Sequence, residues 1–231
     1  MDAVVMAAGE GRRLRPLTER WPKTLLPIDG RPVMATLLRE LVAAGFDEVT
    51  IVVGYLGEQV EALVGNGAGF GLSIRYAEQP KALGSADAVV RALEAGAEPP
   101  LLVTAADTVY RPGDVGLAAR AWAESGTAGG VGVRVDLRPD RTPVRAAGGR
   151  LLAFGEDDGS GLSGAPLWFL DEGIAATLGS LKGPPFALGD AFALALAEGL
   201  EIAALELGPT RDLTRPTDVI LRNFPYLWRE R

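Results

Sequence analysis

The apolar run Ala3-Val4-Val5-Met6 passes without a spacer into Ala7-Ala8-Gly9-Glu10-Gly11-Arg12-Arg13, and no other junction constrains the fold as much. A short apolar run closed by glycines predicts a buried strand delivering a tight turn. The turn also has a chemistry. Gly9 and Gly11 lack Cβ atoms, so the backbone can take φ > 0 and come close to a bulky anion. Successive N–H groups then converge on phosphate oxygens. Arg12, Arg13 and Arg15 add planar forks suited to phosphate, and Lys23 adds a point charge on a mobile stem. Neither familiar glycine fingerprint fits: position 14 is leucine where a dinucleotide fold wants glycine, and no Gly-Lys-Ser/Thr closes a P-loop.

Downstream, strand-like and helix-like stretches alternate, the pattern of a mostly parallel sheet covered on both faces. Helices are expected over 33–44, 58–64 and 85–94, and strands over 48–53, 72–76 and 101–104. Between about 127 and 170 the pattern turns β-rich and Gly-rich, with strands over 130–135 and 165–170. A helix over 190–198, a strand over 200–205 and a closing helix over 215–228 follow. The expectation is an α/β fold, a Rossmann-like three-layer sandwich with a small β-rich lobe. One domain is expected over 1–231, with a first half to about 126 and a second half from about 127. No repeat or convincing linker interrupts it.

Composition removes several chemistries. The chain has no histidine and no cysteine, which excludes imidazole acid/base catalysis, Ser-His-Asp triads, disulfides and thiolate metal sites. A formal charge of −7 argues against nucleic acid as a partner, so positive charge at the turn is local. No apolar run reaches the length of a membrane span, and no secretory leader is expected, because the first strand starts directly after Met1. A cytoplasmic protein is expected, of an oligomeric state not legible here. Arginine supplies 20 of 23 basic residues, which reads as base composition more than function.

The segment 7–27 resembles the signature of the sugar-nucleotide pyrophosphorylases, enzymes that join a nucleoside triphosphate to a sugar 1-phosphate. Ala7, Ala8, Gly9, Gly11, Arg13, Leu14, Pro16, Leu17, Thr18, Pro22, Lys23, Leu25, Leu26 and Pro27 all match. The resemblance implies nucleotide binding at Ala7, Ala8, Gly9, Gly11 and Arg12, with Arg13 and Lys23 as catalytic cations on the phosphates. A second string, Gln79 to Ala86, is similar to the family's base-reading loop. There Gln79, Gly84 and Ser85 would bind the nucleotide: Gln79 would pair with a pyrimidine edge, Gly84 would let the base approach, and the Ser85 hydroxyl would cap the helix that starts there. Asp107, near the carboxyl end of the strand over 101–104, and Asp212 resemble the family's two carboxylates for Mg²⁺. Asp218, in the first turn of the last helix, is a decoy favoured there by the helix dipole.

The acceptor side departs from the family. Its Glu-Lys-Pro string, whose lysine meets the sugar phosphate, is replaced here by Phe154-Gly155-Glu156-Asp157-Asp158-Gly159. Of the Glu-x-x-x-Asp grip on sugar hydroxyls only Asp190 survives, while Gly164 resembles the acceptor wall. Arg145 or Lys182 is a candidate for the lost phosphate contact. The expected reaction joins UTP or dTTP to a sugar 1-phosphate by in-line attack on the α-phosphate, and such chemistry needs no proton shuttle. Two alternatives stand beside it. One is a transferase for another phosphorylated acceptor, phosphocholine or N-acetylmuramate 1-phosphate; the other is a regulatory subunit that binds a sugar nucleotide without turnover.

Overall fold

The computed structural model describes residues 1–224. Its first half alternates strand and helix: β1 (Asp2–Met6), the small hairpin β2 (Pro27–Ile28) and β3 (Arg31–Pro32), α1 (Val33–Ala43), β4 (Glu48–Val53), α2 (Gly57–Val64), β5 (Ser73–Glu78), α3 (Ser85–Glu94), β6 (Leu101–Ala105), β7 (Thr108–Val109) and α4 (Asp114–Ser125). The second half is richer in strands: β8 (Gly129–Val135), β9 (Val144–Ala147), β10 (Arg150–Phe154), β11 (Leu162–Leu170), α5 (Glu172–Thr177), α6 (Leu188–Ala197), β12 (Ile202–Glu206), β13 (Arg211–Asp212) and α7 (Pro216–Asn223). The expected elements form with shifted ends; α4, α5 and the β9–β10 hairpin add to them.

Nine strands make one sheet in the order β5-β4-β1-β6-β11-β8-β12-β10-β9. Parallel pairing joins β5, β4, β1 and β6, and again β8 and β12. β11 runs antiparallel between β6 and β8, and β10 antiparallel between β12 and β9. All strands except β10 and β11 therefore share one direction. The β-rich segment forms the far half of this same sheet and ends in the β9–β10 hairpin.

Alternation along the strands sorts the core into two faces. Ala3 and Val5 of β1 join a cluster with Met34, Leu37, Leu38 and Leu41 of α1, Val60 of α2 and Trp122 of α4. Val4 points the other way, into a cluster with Val89 of α3, Ile174 of α5 and Phe192 of α6. Helices thus cover both faces, which is why the first strand reads as a continuous apolar run. A smaller third cluster gathers Leu14, Leu26, Ile28, Val33, Val109 and Leu213. Through it the segment after β1 packs on the β7–β13 ribbon.

Among the described residues no helix is long and apolar enough to cross a membrane. The sequence offers Phe224, Tyr226 and Trp228 either as a cap of the last helix against the core, the favoured reading, or as a subunit contact; Tyr226 and Trp228 lie outside the described residues, and Phe224 is exposed.

Candidate active site

β1 sits between β4 and β6, so the strand order reverses there. Open α/β sheets take ligands at such a reversal, outside the carboxyl ends of the strands. Met6 and Ala105 are register partners, and the Ala106 N–H donates to the Met6 carbonyl at 3.0 Å. The loops after β1 and β6, carrying the glycine turn and Asp107, therefore start side by side.

The turn is held by its own buried side chains. Leu14 is 1% exposed, and the equally buried Thr18 hydroxyl donates to the Gly11 carbonyl at 3.0 Å. Gly11 takes φ +60°, while Gly9, expected to share that conformation, has no positive φ. Gly9 is instead the open position, with nothing within 4 Å of where a Cβ would stand. Ala7, Gly9, Gly11, Arg12, Arg13, Lys23 and Asp107 line one cavity of about 310 Å³. Ala8 does not reach it; Ala8 is buried, and its carbonyl accepts the Tyr55 N–H.

The three arginines separate by their partners. Glu10 takes both Arg12, at 2.7 Å, and Arg15, at 3.6 Å. The Arg12 guanidinium holds the Glu10 carboxyl below the usual carboxylate range. Among the described residues Arg13 has only a 3.9 Å ion-pair contact with Asp140, and its side chain is 68% exposed. It borders the first cavity and two adjoining ones. Lys23 is not mobile: it is ion-paired with the Asp107 carboxylate and its side chain is 16% exposed.

Asp107 and Asp212 are brought together by the short ribbon. β7 and β13 pair antiparallel, with Asp212 opposite Thr108, the residue after Asp107. Directly opposed residues of such a pair stand about 4.5–5.5 Å apart at Cα. Both aspartates line a second cavity of about 440 Å³, which shares Arg13, Lys23 and Thr214 with the first. Among the described residues no cluster of three or more metal-binding side chains occurs. The pair still fits magnesium, a hard ion that takes one or two carboxylates and completes its shell with phosphate oxygens and water. Asp218 is occupied elsewhere: its carboxylate accepts the backbone N–H groups of Thr214 and Arg215, each at 2.7 Å. It serves the start of α7 as expected.

Gly164 and Asp190, the two residues expected on the acceptor side, both line the second cavity. Arg145 does not line it and pairs with Glu156 at 2.9 Å. Two other arginines do, Arg134 of β8 and Arg141 of the β8–β9 loop, which the sequence motifs did not single out. Arg141 is 4% exposed and its Nη2 lies 3.5 Å from Asp212. Burial pushes the Arg134 guanidinium down from its usual value, with Asp212 partly opposing. Among the described residues, Arg134 Nε and Arg141 Nε and Nη2 have no hydrogen-bond partner. Leaving such donors unmade costs about 1–3 kcal/mol each. A bulge in β11 between Gly164 and Trp168 shapes the same wall. It is braced by Tyr110, whose hydroxyl donates to the Pro166 carbonyl at 2.8 Å and meets Thr104 at 2.7 Å.

The loop 79–85 differs from expectation. Gln79 is buried, and its Nε2 donates to the Gly84 carbonyl at 2.9 Å and to Asp87 at 2.8 Å. The amide is engaged within its own loop. Gly84 does permit a close approach, but to the Phe186 backbone: a Cβ there would lie 2.2 Å from the Phe186 carbonyl oxygen. Ser85 does not cap α3. Gly84 holds the N-cap position, and the Ser85 hydroxyl accepts the Leu188 N–H at 2.8 Å, stitching α3 to the start of α6. Ser85 lines the second cavity.

The sequence pattern of the nucleotidyl transferase family matches residues 2–144. An N-acetylmuramate alpha-1-phosphate uridylyltransferase of Neisseria meningitidis serogroup B is 38% identical over 110 residues, 47% of this chain and 48% of that protein. A glucose-1-phosphate thymidylyltransferase of Streptomyces griseus is 43% identical over 90 residues, 39% of this chain and 25% of its own length. The matches thus span about half or less of these relatives. The fold is shared over nearly the whole chain. A Bacillus anthracis structure described as a glucose-1-phosphate thymidylyltransferase with bound sucrose superposes with a TM-score of 0.86 at 20% identity, covering 100% of this chain and 96% of that one. A UDP-glucose pyrophosphorylase complexed with UDP-glucose gives 0.83 at 18% identity, covering 99% of each. With the family pattern running from the first strand through the glycine turn and Asp107 to β9, this chain belongs to the nucleotidyl transferase family.

Proposed function

We propose that the protein joins a nucleoside triphosphate, UTP or dTTP, to a sugar 1-phosphate and releases pyrophosphate. One observation carries this reading: Arg13, Lys23, Asp107 and Asp212 converge on adjoining cavities outside the ends of β1 and β6. The triphosphate lies in the first cavity, along Gly9, Gly11 and Arg12, and the acceptor in the second, beside Gly164 and Asp190. In this assignment residues to about 126 form the nucleotide half of one domain and the remainder the acceptor half.

The acceptor's phosphate oxygen is already anionic and attacks the α-phosphorus directly. Its O–P bond forms as the bond to pyrophosphate breaks, and pyrophosphate departs in line. The barrier is anion meeting anion, so the residues' work is electrostatic. Arg13 offsets charge developing on the transferred and leaving phosphates. Lys23 sits at the junction of the cavities, fixed by Asp107, and meets the same phosphates. Asp107 and Asp212 would hold magnesium, which when bound neutralises phosphate oxygens and orients the two reactants. The reaction is placed in the cytoplasm, with small phosphorylated molecules as its partners.

A second acceptor has specific support. The Neisseria relative is named for N-acetylmuramate 1-phosphate, and of the family's sugar-hydroxyl grip only Asp190 survives. The binding-only reading is disfavoured, because a protein that merely holds a sugar nucleotide has no use for paired carboxylates beside two phosphate cations. A panel of five nucleoside triphosphates against glucose 1-phosphate, N-acetylmuramate 1-phosphate and phosphocholine, with magnesium and read by pyrophosphate release, tests the proposal. Release with a sugar 1-phosphate supports it. Nucleotide binding without release from any pair refutes it in favour of the binding-only reading.

A further inference from the structure

The acceptor cavity has charged donors on its wall that the fold leaves unspent. Arg141, on the loop between β8 and β9, gives Nη1 to the Asp136 backbone carbonyl at 3.1 Å and to the Asp136 carboxylate. Its Nε and Nη2 make no hydrogen bond, although the side chain is 4% exposed. Arg134, buried in β8, donates Nη1 to the Thr210 hydroxyl and keeps Nε unpaired. A guanidinium carries five N–H donors in a rigid fork and cannot shed its charge to escape burial. Buried polar groups are ordinarily satisfied, and the ligand that satisfies a fork of this kind is an oxyanion.

Position narrows the oxyanion. Arg141 Nη2 is 3.5 Å from the Asp212 carboxylate, and Asp212 is the register partner of the residue after Asp107. An anion gripped by Arg141 therefore lies against the two-carboxylate corner where the cavities meet. The acceptor's phosphate has to be there to reach the α-phosphorus. Arg138 also approaches Asp212, at 3.9 Å, but its side chain is 41% exposed and it borders a different cavity, so it belongs to the rim.

We infer that Arg134 and Arg141 together hold the acceptor's phosphate, in place of the lysine missing from the Phe154–Gly159 stretch. The inference rests on the proposed transferase reaction for the identity of the anion, and on the unspent guanidinium donors for the site itself. It makes both arginines binding residues of the acceptor half, with no part in holding the nucleotide.

The test measures Michaelis constants for each substrate in wild type, Arg141→Ala, Arg141→Lys and Arg134→Gln. In parallel, equilibrium dialysis measures the affinity of each protein for radiolabelled inorganic phosphate. Arg141→Ala is expected to raise the acceptor KM about 10²-fold, the scale of charged hydrogen bonds lost to an anion. The nucleotide KM should stay within about threefold, and Arg141→Lys should recover part of the loss because it keeps the charge without the fork. Phosphate affinity should fall by a similar factor. If wild type turns over and the variants keep its acceptor KM, or lose only kcat, the inference is overturned. If wild type releases no pyrophosphate from any pair, the reaction reading fails and dialysis alone decides: Arg141-dependent phosphate binding upholds the anion site, Arg141-independent binding overturns it. Should Arg141→Ala fail to fold, Arg141→Lys and Arg134→Gln give the same KM split.

Discussion

Replacing Gly84 by alanine separates two readings of one glycine. At this position φ is +121°, and a Cβ would stand 2.2 Å from the Phe186 carbonyl oxygen and 2.7 Å from its nitrogen, where real Cβ contacts do not come under 3.0 Å. Backbone cannot rotate out of the way. The Phe186 peptide is tied to the loop on both sides, donating to the Leu83 carbonyl at 2.7 Å and accepting the Ala86 N–H at 2.9 Å, with Leu188 N–H to Ser85 next to it at 2.8 Å. Displacing that peptide by nearly an ångström breaks two of these bonds, at about 0.5–1.5 kcal/mol each. Holding alanine in a glycine-only conformation adds about 1–3 kcal/mol. Gly84→Ala should therefore lose about 2–6 kcal/mol, a large part of the roughly 5–15 kcal/mol that stabilises a domain. Urea unfolding, followed by circular dichroism and compared at equal m-values, measures it. A loss under about 1 kcal/mol together with weakened nucleotide binding would refute the reasoning, since Gly84 would then face a base rather than Phe186.

Gly9→Ala is the complementary case: no atom crowds the new methyl, so stability should change by no more than about 0.5 kcal/mol. The methyl intrudes on the first cavity, where the triphosphate is proposed to lie, and the nucleotide KM should rise about tenfold, as titration in the pyrophosphate assay will report. Arg13→Ala should lower turnover about 10²- to 10³-fold with an unchanged melting temperature, because this side chain is 68% exposed; full turnover would remove Arg13 from the mechanism. Tyr110, wholly buried, has its ionisation pushed up by desolvation. The unfolded chain therefore loses its phenolic proton first, and stability present below about pH 10 should fall at about 1.4 kcal/mol per pH unit above it. Tyr110→Phe should flatten that component of the alkaline limb in denaturant titrations, and an unaltered slope would place the loss elsewhere.

The parts of the fold legible in the sequence are those set by local periodicity. β1, β4 and β6 are apolar runs because helices cover both their faces, and α1 and α3 show one buried stripe each. α4 escaped because its inward face is built mainly from small residues, with Gly116 approaching the Ala44 Cα closely enough that a Cβ would sit at 3.4 Å. The stripe Val115, Ala118, Trp122 is a weak signal beside the glycines that flank it. Two further features follow ordinary local rules. Gly148 and Gly149, both at positive φ between β9 and β10, are the residues a tight hairpin favours. Asp171, whose carboxylate accepts the Ile174 N–H at 3.0 Å, caps α5 in the ordinary way.

The site divides along the same line, with a different cause on each side. Gly11, Arg13 and Lys23 are close in sequence, so their spacing already fixes the turn they build. Asp107 and Asp212 meet only through a two-residue ribbon joining strands about a hundred positions apart. No local rule predicts that pairing, and the resemblance alone connected them. The two arginines proposed to hold the acceptor mark the far limit. In a chain where 20 of 23 basic residues are arginine, one more arginine carries no information by identity. Arg134 and Arg141 stand out because they are buried with N–H groups unspent, while Arg145, singled out from sequence, sits in a partly exposed ion pair with Glu156. Burial is decided by the whole fold: β8 lies between β11 and β12, and this packing places Arg134 on the cavity wall. The proposed nucleotide half is therefore written in a contiguous motif, whereas the proposed acceptor half is specified by which of many equivalent cations the sheet happens to enclose.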